Sequence, residues 1–168
     1  MGYGQELITD PNDRLISSIG NWVSSTDPPN GEFIWSGDHA RIFSEMGIQF
    51  IRGILAKDFF STIRLNTAYE LSCYAFWPST SHDGSVSIDI RDADGHSLGI
   101  AFAKDPPDVW RFVLGGGDPQ EIFDNDSREL SISMSNIEYE PVEVFIKNLS
   151  IRAILPKKVQ YLPLMGVG

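Results

Sequence analysis

Five consecutive residues, Gly95-His96-Ser97-Leu98-Gly99, match the pattern G-x-S-x-G. In α/β-hydrolases this pattern forms a sharp strand-to-helix turn that exposes a nucleophilic serine beside an oxyanion hole. Here Pro106 and Pro107 soon follow the serine and leave no room for a helix of useful length. All three histidines of the chain precede Ser97 or adjoin it, so the base that follows the serine in that fold is missing. We therefore predict that Ser97 lies on the polar face of a strand and is not a catalytic nucleophile.

The aspartates around that serine suggest calcium, but the pattern of ligands is incomplete. An EF-hand loop with Gly95 at its sixth position would place Ile90 and Ala101 where carboxylates are required. Turn formation explains these aspartates better, because their side chains bond nearby backbone groups. The single cysteine, Cys73, and the scattered histidines provide no zinc spacing. We predict no metal and no cofactor, and no pair among the 23 acidic residues stands out as a glycosidase pair.

Aromatic side chains are the other residues with binding chemistry, because each ring contributes a large flat apolar face. Trp77 is the first candidate, since it ends a predicted strand and enters the loop 78–84, where we expect it to be exposed. The remaining candidates for a ligand contact are Trp35, Trp110, Trp22 and Tyr74, with Phe76 beside them. We expect about two of the four tryptophans to be core residues.

Length and charge restrict the class of protein. A chain of 168 residues is one domain by the usual prior, and such a domain buries roughly 70% of its unfolded surface. Thirteen basic and 23 acidic residues give a net charge of −10, which disfavours nucleic acid and anionic membranes as partners. No signal-peptide pattern and no apolar run of membrane-spanning length is present, so we expect synthesis in a host cytoplasm.

Period-two alternation is the main structural signal and positions these residues. Val86, Ile88 and Ile90 alternate with polar residues, turn-forming residues follow, and the alternation resumes at Leu98, which predicts a β-hairpin. Further predicted strands are residues 6–9, 32–35, 69–77, 110–114, 130–134 and 142–154. In the last of these the apolar positions change parity near Lys147-Asn148, which predicts a β-bulge.

Residues 42–60 are ambiguous. Apolar residues spaced by four from Ile42 to Ile54 fit a helical stripe, but two glycines weaken a helix and residues 50–54 also alternate as a strand. We favour strands here, and we place Trp22 in a long polar loop. Short strands, long loops with proline and glycine, and no βα alternation together predict an all-β chain folded as an antiparallel β-sandwich.

Several short segments also suggest a family. They are, in chain order, Glu6-Leu7-Ile8-Thr9-Asp10, Gly20-Asn21-Trp22, Tyr69-Glu70-Leu71-Ser72-Cys73-Tyr74-Ala75 and Val144-Phe145-Ile146-Lys147-Asn148-Leu149-Ser150-Ile151. This ordered set resembles the jelly-roll carbohydrate-binding modules of the galactose-binding-like superfamily, as found in glycosidases and in bacteriophage virion and tail proteins. Members commonly carry an acidic residue of the closing motif near a structural calcium. Lys147 stands there in this chain, so we do not carry the calcium over.

The chain divides into an N-terminal tail (1–5), a β-sandwich domain (6–155) and an extended C-terminal arm (156–168). The arm is expected to dock against the sandwich or a neighbouring subunit through apolar side chains. These are Val159, Tyr161, Leu162, Leu164 and Met165.

The resemblance to these modules and the apolar C-terminal arm together predict a non-catalytic structural protein. We expect a bacteriophage virion accessory subunit, a capsid decoration or a tail component, docked through its termini to protein partners in a larger assembly. It would be located in the virion and form a homo-oligomer. The alternative is a glycan-binding module or adhesin that recognises surface carbohydrate through exposed aromatic rings. We expect no nucleic-acid partner and no membrane association.

Overall fold

Eleven β-strands make up the secondary structure of the computed structural model, which describes residues 2–24, 31–53, 67–91, 97–117, 129–136 and 138–155. In chain order they are β1 (Gly2–Glu6), β2 (Trp22–Ser24), β3 (Gly31–Ser36), β4 (His39–Ser44), β5 (Ile48–Gly53), β6 (Tyr69–Phe76), β7 (Ser85–Arg91), β8 (Ser97–Ala103), β9 (Arg111–Gly117), β10 (Glu129–Ser135) and β11 (Val142–Leu155). The predicted all-β character is confirmed for these residues. They contain no helix that is long and apolar enough to cross a membrane.

The strands form two sheets that pack face to face. Sheet A has the strand order β3-β4-β11-β6-β9, and β1 pairs with the C-terminal end of β11. Sheet B has the order β2-β5-β10-β7-β8. Neighbouring strands in both sheets run antiparallel. This arrangement confirms the predicted antiparallel β-sandwich.

The core lies between the sheets, because apolar residues alternate along the strands on the sides that face each other. Sheet A contributes the buried side chains of Phe33, Ala40, Ile42, Tyr69, Leu71, Cys73, Ala75, Val142, Val144, Ile146, Leu149 and Ile151, and sheet B contributes Trp22, Val86, Ile88, Ile90, Ile100, Leu130, Ile132 and Met134. Each buried side chain of isoleucine or leucine size stabilises the fold by about 1.5–3 kcal/mol relative to an exposed one. Hydrophobic burial therefore supplies the main stabilisation of this sandwich.

Most predicted strands are confirmed. β7 and β8 form the predicted hairpin, with Ile88 opposite Ile100. Within the ambiguous residues 42–60, the structure has the end of β4 and all of β5, so the preference for strands is confirmed up to Gly53, beyond which residues 54–66 lie outside the described part. The residues with helical spacing do not form a helix, because Gly47, at a φ of 68°, makes the turn between these two strands.

The first strand is displaced from its predicted position. It covers Gly2–Glu6 rather than residues 6–9, so four residues assigned to the N-terminal tail are strand residues. The carboxylate of Glu6 accepts hydrogen bonds from the backbone N–H groups of Ile151 at 2.8 Å and Ile8 at 3.3 Å. These bonds tie the end of β1 to β11. The predicted C-terminal arm lies outside the described residues.

A β-bulge interrupts β11 where the change of parity predicts one. Asn148 has a φ of 56°, and the register against β6 shifts between Lys147 and Ser150. The backbone N–H of Asn148 donates a hydrogen bond to the carbonyl oxygen of Leu15 at 3.0 Å. The segment that connects β1 to β2 is therefore hydrogen-bonded to β11 at the bulge.

Trp22 is a core residue, and its predicted place in a long polar loop is wrong. It begins β2, opposite Gly53 of β5, and only 3% of its surface is exposed. Its indole N–H donates to the carbonyl oxygen of Asp13 at 2.8 Å. The Asp13 carboxylate in turn accepts a hydrogen bond from the backbone N–H of Asn21 at 2.7 Å. Asp13 thus bonds both the Trp22 indole and the backbone of Asn21, which fixes the position of the Trp22 ring in the core.

Candidate functional site

The outward-facing side of sheet A carries a group of aromatic side chains. In β6 the alternate residues Leu71, Cys73 and Ala75 point into the core, which turns Tyr74 and Phe76 outward. The strand register aligns these two with aromatic residues of the neighbouring strands, because Tyr74 lies opposite Phe112 of β9 and Phe76 lies opposite Phe145 of β11. We call the aromatic face the six side chains of His39, Tyr74, Phe76, Trp110, Phe112 and Phe145.

The rings of the aromatic face contact one another in two groups. Phe76 and Phe145 are stacked, with centroids 5.5 Å apart and planes only 4° from parallel. His39 stacks on Phe145 at 4.5 Å and meets the edge of Trp110 at 5.7 Å, while Trp110 lies 5.5 Å from Phe76. These four rings form one continuous cluster across three strands and the residue that precedes β9.

The second group lies nearer the edge of sheet A. Tyr74 and Phe112 are 5.3 Å apart, and 40% of Tyr74 and 54% of Phe112 are exposed. Leu114, one step further along β9 on the same side, is 55% exposed. Exposed apolar rings that adjoin one another on a flat sheet are unusual on a protein surface and indicate a binding surface.

Paired charges border the aromatic face. The Lys147 ammonium lies 2.6 Å from Asp38 Oδ2, and His39 Nδ1 lies 2.9 Å from Asp38 Oδ1. The hydrogen bond from Lys147, followed by the contact with His39, lowers the pKa of Asp38 from 3.8 to about 2. The Asp38 carboxylate is therefore ionised at neutral pH.

Arg41 forms the opposite border. Its guanidinium pairs with Glu32 of β3 and Glu143 of β11, and it lies 5.2 Å from the centre of the Phe43 ring. The cations described around the aromatic face are thus each matched by a carboxylate. Such groups present both hydrogen-bond donors and acceptors at the border without a net positive charge.

The structure separates the five predicted glycan-binding residues. Trp77 has no exposed surface, so the prediction that it would be exposed is wrong. It continues the inward parity of β6, which places its ring between the sheets. Trp22 is also buried, as described above, and Trp35 packs against the core from the inward side of β3. Trp110 and Tyr74 do belong to the aromatic face.

Sequence reasoning missed His39, Phe112 and Phe145 as members of this face. The signal that identifies Phe112 and Phe145 is parity, because Phe145 alternates with buried residues of β11 and Phe112 with half-buried residues of β9. His39 has no comparable signal, since its place beside Phe145 depends on the pairing of β4 with β11. The expectation that about two of four tryptophans would be core residues agrees with the burial of Trp22 and Trp77.

A polar cleft lies at the end of the sandwich where β11 begins. It has a volume of about 660 Å³ and is lined by Ser79, Thr80, Ser81, His82, Asp83, Gly84, Ser85, Ser135, Asn136 and Glu138. Asn136 joins its two walls, since its side-chain amide donates to the carbonyl oxygen of Asp83 at 2.7 Å. The loop 78–84 therefore lines a cleft, as a binding loop would, but without the Trp77 ring.

The other residues considered for chemistry have ordinary structural positions. Ser97 begins β8 opposite Arg91, and the preceding residues 92–96 lie outside the described part. Burial raises the pKa of the Cys73 thiol to about 12, so this cysteine is uncharged at neutral pH. Within the described ranges no group of three or more His, Cys, Asp or Glu residues is placed to hold a metal ion.

Sequence comparison identifies no relative, since no protein-family profile and no curated protein matches the chain. Comparison of folds, in contrast, finds solved structures that are similar to this chain. An arabinose-bound GH51 α-L-arabinofuranosidase is similar with a TM-score of 0.65 and 12% identity, over 90% of this chain and 27% of that one. The enzymatically active domain of tailspike protein 4 from bacteriophage CBA120 gives 0.60 and 13%, over 89% and 21%. The CBM22-1 xylan-binding domain of Paenibacillus barcinonensis Xyn10C gives 0.54 and 10%, over 93% and 99%.

The chain spans about a quarter of the arabinofuranosidase and about a fifth of the tailspike domain, but nearly the whole xylan-binding domain. At these identities the likeness defines the fold. The fold is a β-sandwich of the kind found in this xylan-binding domain and in other carbohydrate-binding modules, which confirms the fold expected from the resemblance in the sequence. Similar structures include both binding modules and enzymes, among them a Stig cyclase from Fischerella sp. TAU. Function must therefore be argued from the site.

Proposed function

We propose that this protein is a non-catalytic carbohydrate-binding module that binds glycans on the aromatic face of sheet A. The observation that carries the proposal is the set of partly exposed rings aligned by strand register, with Tyr74, Phe112 and Leu114 each at least 40% exposed. No cluster of nucleophile, base and acid accompanies them in the described residues. The chemistry available at this face is thus stacking and hydrogen bonding.

Sugar recognition needs both kinds of contact. One face of a pyranose ring presents C–H groups, which pack against an aromatic ring, while its edge presents hydroxyl groups. The aromatic face supplies the first partner. Asp38, Lys147 and Arg41 with its two glutamates supply donors and acceptors at its border. A polar border around a mainly apolar contact surface is typical of small-ligand sites.

The test is a double substitution, Tyr74→Ala with Phe112→Ala, assayed on a glycan array and then by calorimetry with each glycan that binds. Loss of both exposed rings is expected to weaken binding about 5- to 150-fold, since two stacking contacts are removed, each comparable to an aromatic pair of about 0.5–1.5 kcal/mol. The matched control is Tyr139→Asn. It removes a 62% exposed ring elsewhere on the surface and keeps a residue that tolerates the φ of 56° at this position.

Binding that is equal in the double variant and in the wild type would exclude the aromatic face as the site. The polar cleft would then be the next described surface to test, and Asn136→Ala, which removes the hydrogen bond between its two walls, would be the next variant. A wild-type protein that binds no glycan on the array at millimolar concentration would contradict the proposed function itself.

A second function is proposed for the whole protein, a virion accessory subunit in a capsid or tail that docks through its termini. The fold likeness to a bacteriophage tailspike domain supports it. The two functions are compatible, because a virion subunit can also bind surface glycans. Light scattering on the full chain and on a chain that ends at Leu155 tests it. An oligomer that becomes monomeric on truncation is expected, and an unchanged state would contradict docking through the arm.

A further inference from the structure

Lys147 covers the one tryptophan of the aromatic face. Its ammonium nitrogen lies 4.2 Å above the centroid of the Trp110 ring, and the Lys147 side chain is only 20% exposed. A cation over the face of an indole is attracted by the ring quadrupole. The ring face that would stack on a sugar is therefore occupied by a side chain of the protein itself.

The Asp38 carboxylate holds Lys147 in this position. Asp38, 2.6 Å from the ammonium, lies in the two-residue turn between β3 and β4, where Ser36 pairs with His39. Gly37 takes a φ of 69° at the first turn position, which is typical of a tight hairpin turn. The Asp38 side chain is 74% exposed, so the Asp38–Lys147 pair lies at the surface, and the Lys147 ammonium lies over the Trp110 ring.

Lys147 also divides the aromatic face. On one side are Trp110 and the rings in contact with it, His39 and Phe76, which are all half-buried. On the other side is Tyr74, directly opposite Lys147 in the strand register, followed by Phe112. We call the first group, together with Phe145, which stacks on His39 and Phe76, the capped half, and we call Tyr74 and Phe112 the open half, which the exposed Leu114 adjoins.

We propose that Lys147 restricts glycan stacking to the open half and thereby limits the number of sugar units that the site accommodates. This inference rests on the proposed function, since it concerns the same face. Stacking on Trp110 would require the ammonium to leave both the indole and Asp38. The protein thus carries a large aromatic ring that is part of the face but is withheld from the ligand.

The experiment compares the wild type with Lys147→Ala. The probes are soluble β-1,4-linked oligosaccharides of glucose and of xylose with two to six units, together with any glycan that the array identifies, and the readout is calorimetric affinity against chain length. In the wild type the affinity is expected to reach its plateau at a shorter oligosaccharide. In Lys147→Ala the plateau shifts by about one unit and the longest oligosaccharide binds about 2- to 10-fold tighter, as one additional stacking contact provides.

Lys147→Arg is the matched control. It keeps a cation that stacks on the indole and pairs with Asp38, so its length dependence should follow that of the wild type. An affinity of Lys147→Ala that is unchanged or weaker for every oligosaccharide, while the wild type binds, would overturn the inference and leave the proposed function intact.

A second readout needs no glycan. Acrylamide quenching of tryptophan fluorescence should increase in Lys147→Ala relative to the wild type, because the Trp110 ring becomes accessible, and should not increase in Lys147→Arg. In a Trp110→Phe background the increase should disappear, which assigns it to this ring. If no glycan binds to either protein, the proposed function fails. Unchanged quenching in Lys147→Ala would show independently that Trp110 is not capped.

Discussion

The outward faces of the two sheets differ in chemistry although the sheets share one core. Sheet A presents rings and paired charges, whereas the described outward positions of sheet B include Ser85, Ser87, Ser133, Ser135, Ala101 and Ala103. Serine hydroxyls face each other across β7 and β10, at 3.2 Å for Ser85 with Ser135 and 2.7 Å for Ser87 with Ser133. These groups satisfy one another and offer little apolar surface.

This difference separates two uses of period-two alternation. In both sheets one parity is apolar and builds the core, so the inward residues of β6 and of β10 are similar in character. The other parity is free of the packing constraint, and among the side chains that the structure describes it carries adjacent aromatic rings on sheet A. The proposed function of sheet A rests on this contrast, because the shared core does not require aromatic side chains on an outward face.

The largest expected effect comes from the core, which both faces depend on. Trp77→Ala removes a fully buried ring and is expected to lower the free energy of unfolding by about 3–5 kcal/mol. Trp77→Phe should cost clearly less, because the indole nitrogen of Trp77 is buried without a hydrogen-bond partner. Urea denaturation measures both. Equal losses in the two variants would contradict the placement of Trp77 in the core.

The next effect separates stability from binding on sheet A. The double variant Tyr74→Ala with Phe112→Ala should lose about 5- to 150-fold in glycan affinity, while its free energy of unfolding falls by less than that of Trp77→Ala. The reason is that about half of the surface of both rings already faces solvent. Denaturation and calorimetry on the same samples provide both numbers. A loss of stability as large as that of Trp77→Ala would assign these rings to the core instead.

A smaller effect concerns the acidic end of the pH scale. The pKa of Asp38 is lowered from 3.8 to about 2 by Lys147 and then His39. Because the folded-state pKa is the lower one, the stabilisation by this carboxylate is complete above about pH 4. It is lost as the pH falls through about 2. Carboxyl carbon NMR should give a midpoint near 2 in the wild type and a higher midpoint in Lys147→Ala. A wild-type midpoint near 3.8 would contradict the cap.

The smallest effect is expected on sheet B. Ser87→Ala with Ser133→Ala removes both members of a hydroxyl pair, which leaves no unsatisfied partner and changes the free energy of unfolding by about 1 kcal/mol or less. Glycan affinity should stay as in the wild type. A reduced affinity in this variant would place the binding surface on sheet B and remove the contrast between the faces.

Most of the strands, and the parity of each that is apolar, could be predicted from the sequence, whereas β2 and the position of β1 could not. Alternation in β7, β8 and β10 and the change of parity at Lys147 predicted strands, hairpin and bulge, because the side-chain period is a local property of the chain. The buried position of Trp77 was also contained in the parity of β6. Its expected exposure was wrong because a place at the end of a strand was given more weight than that parity.

The order of the strands within each sheet could not be predicted from the sequence and is seen only in the folded structure. Phe76, Trp110 and Phe145 are far apart in the chain, and they form one cluster because β11 lies between β4 and β6 while β9 follows β6. The contact of Lys147 with Trp110 and Asp38 depends on the same pairings. Strand pairing is set by the packing of the whole core, which no local pattern encodes, and so the composition of the aromatic face and its cap became visible only in the folded sandwich.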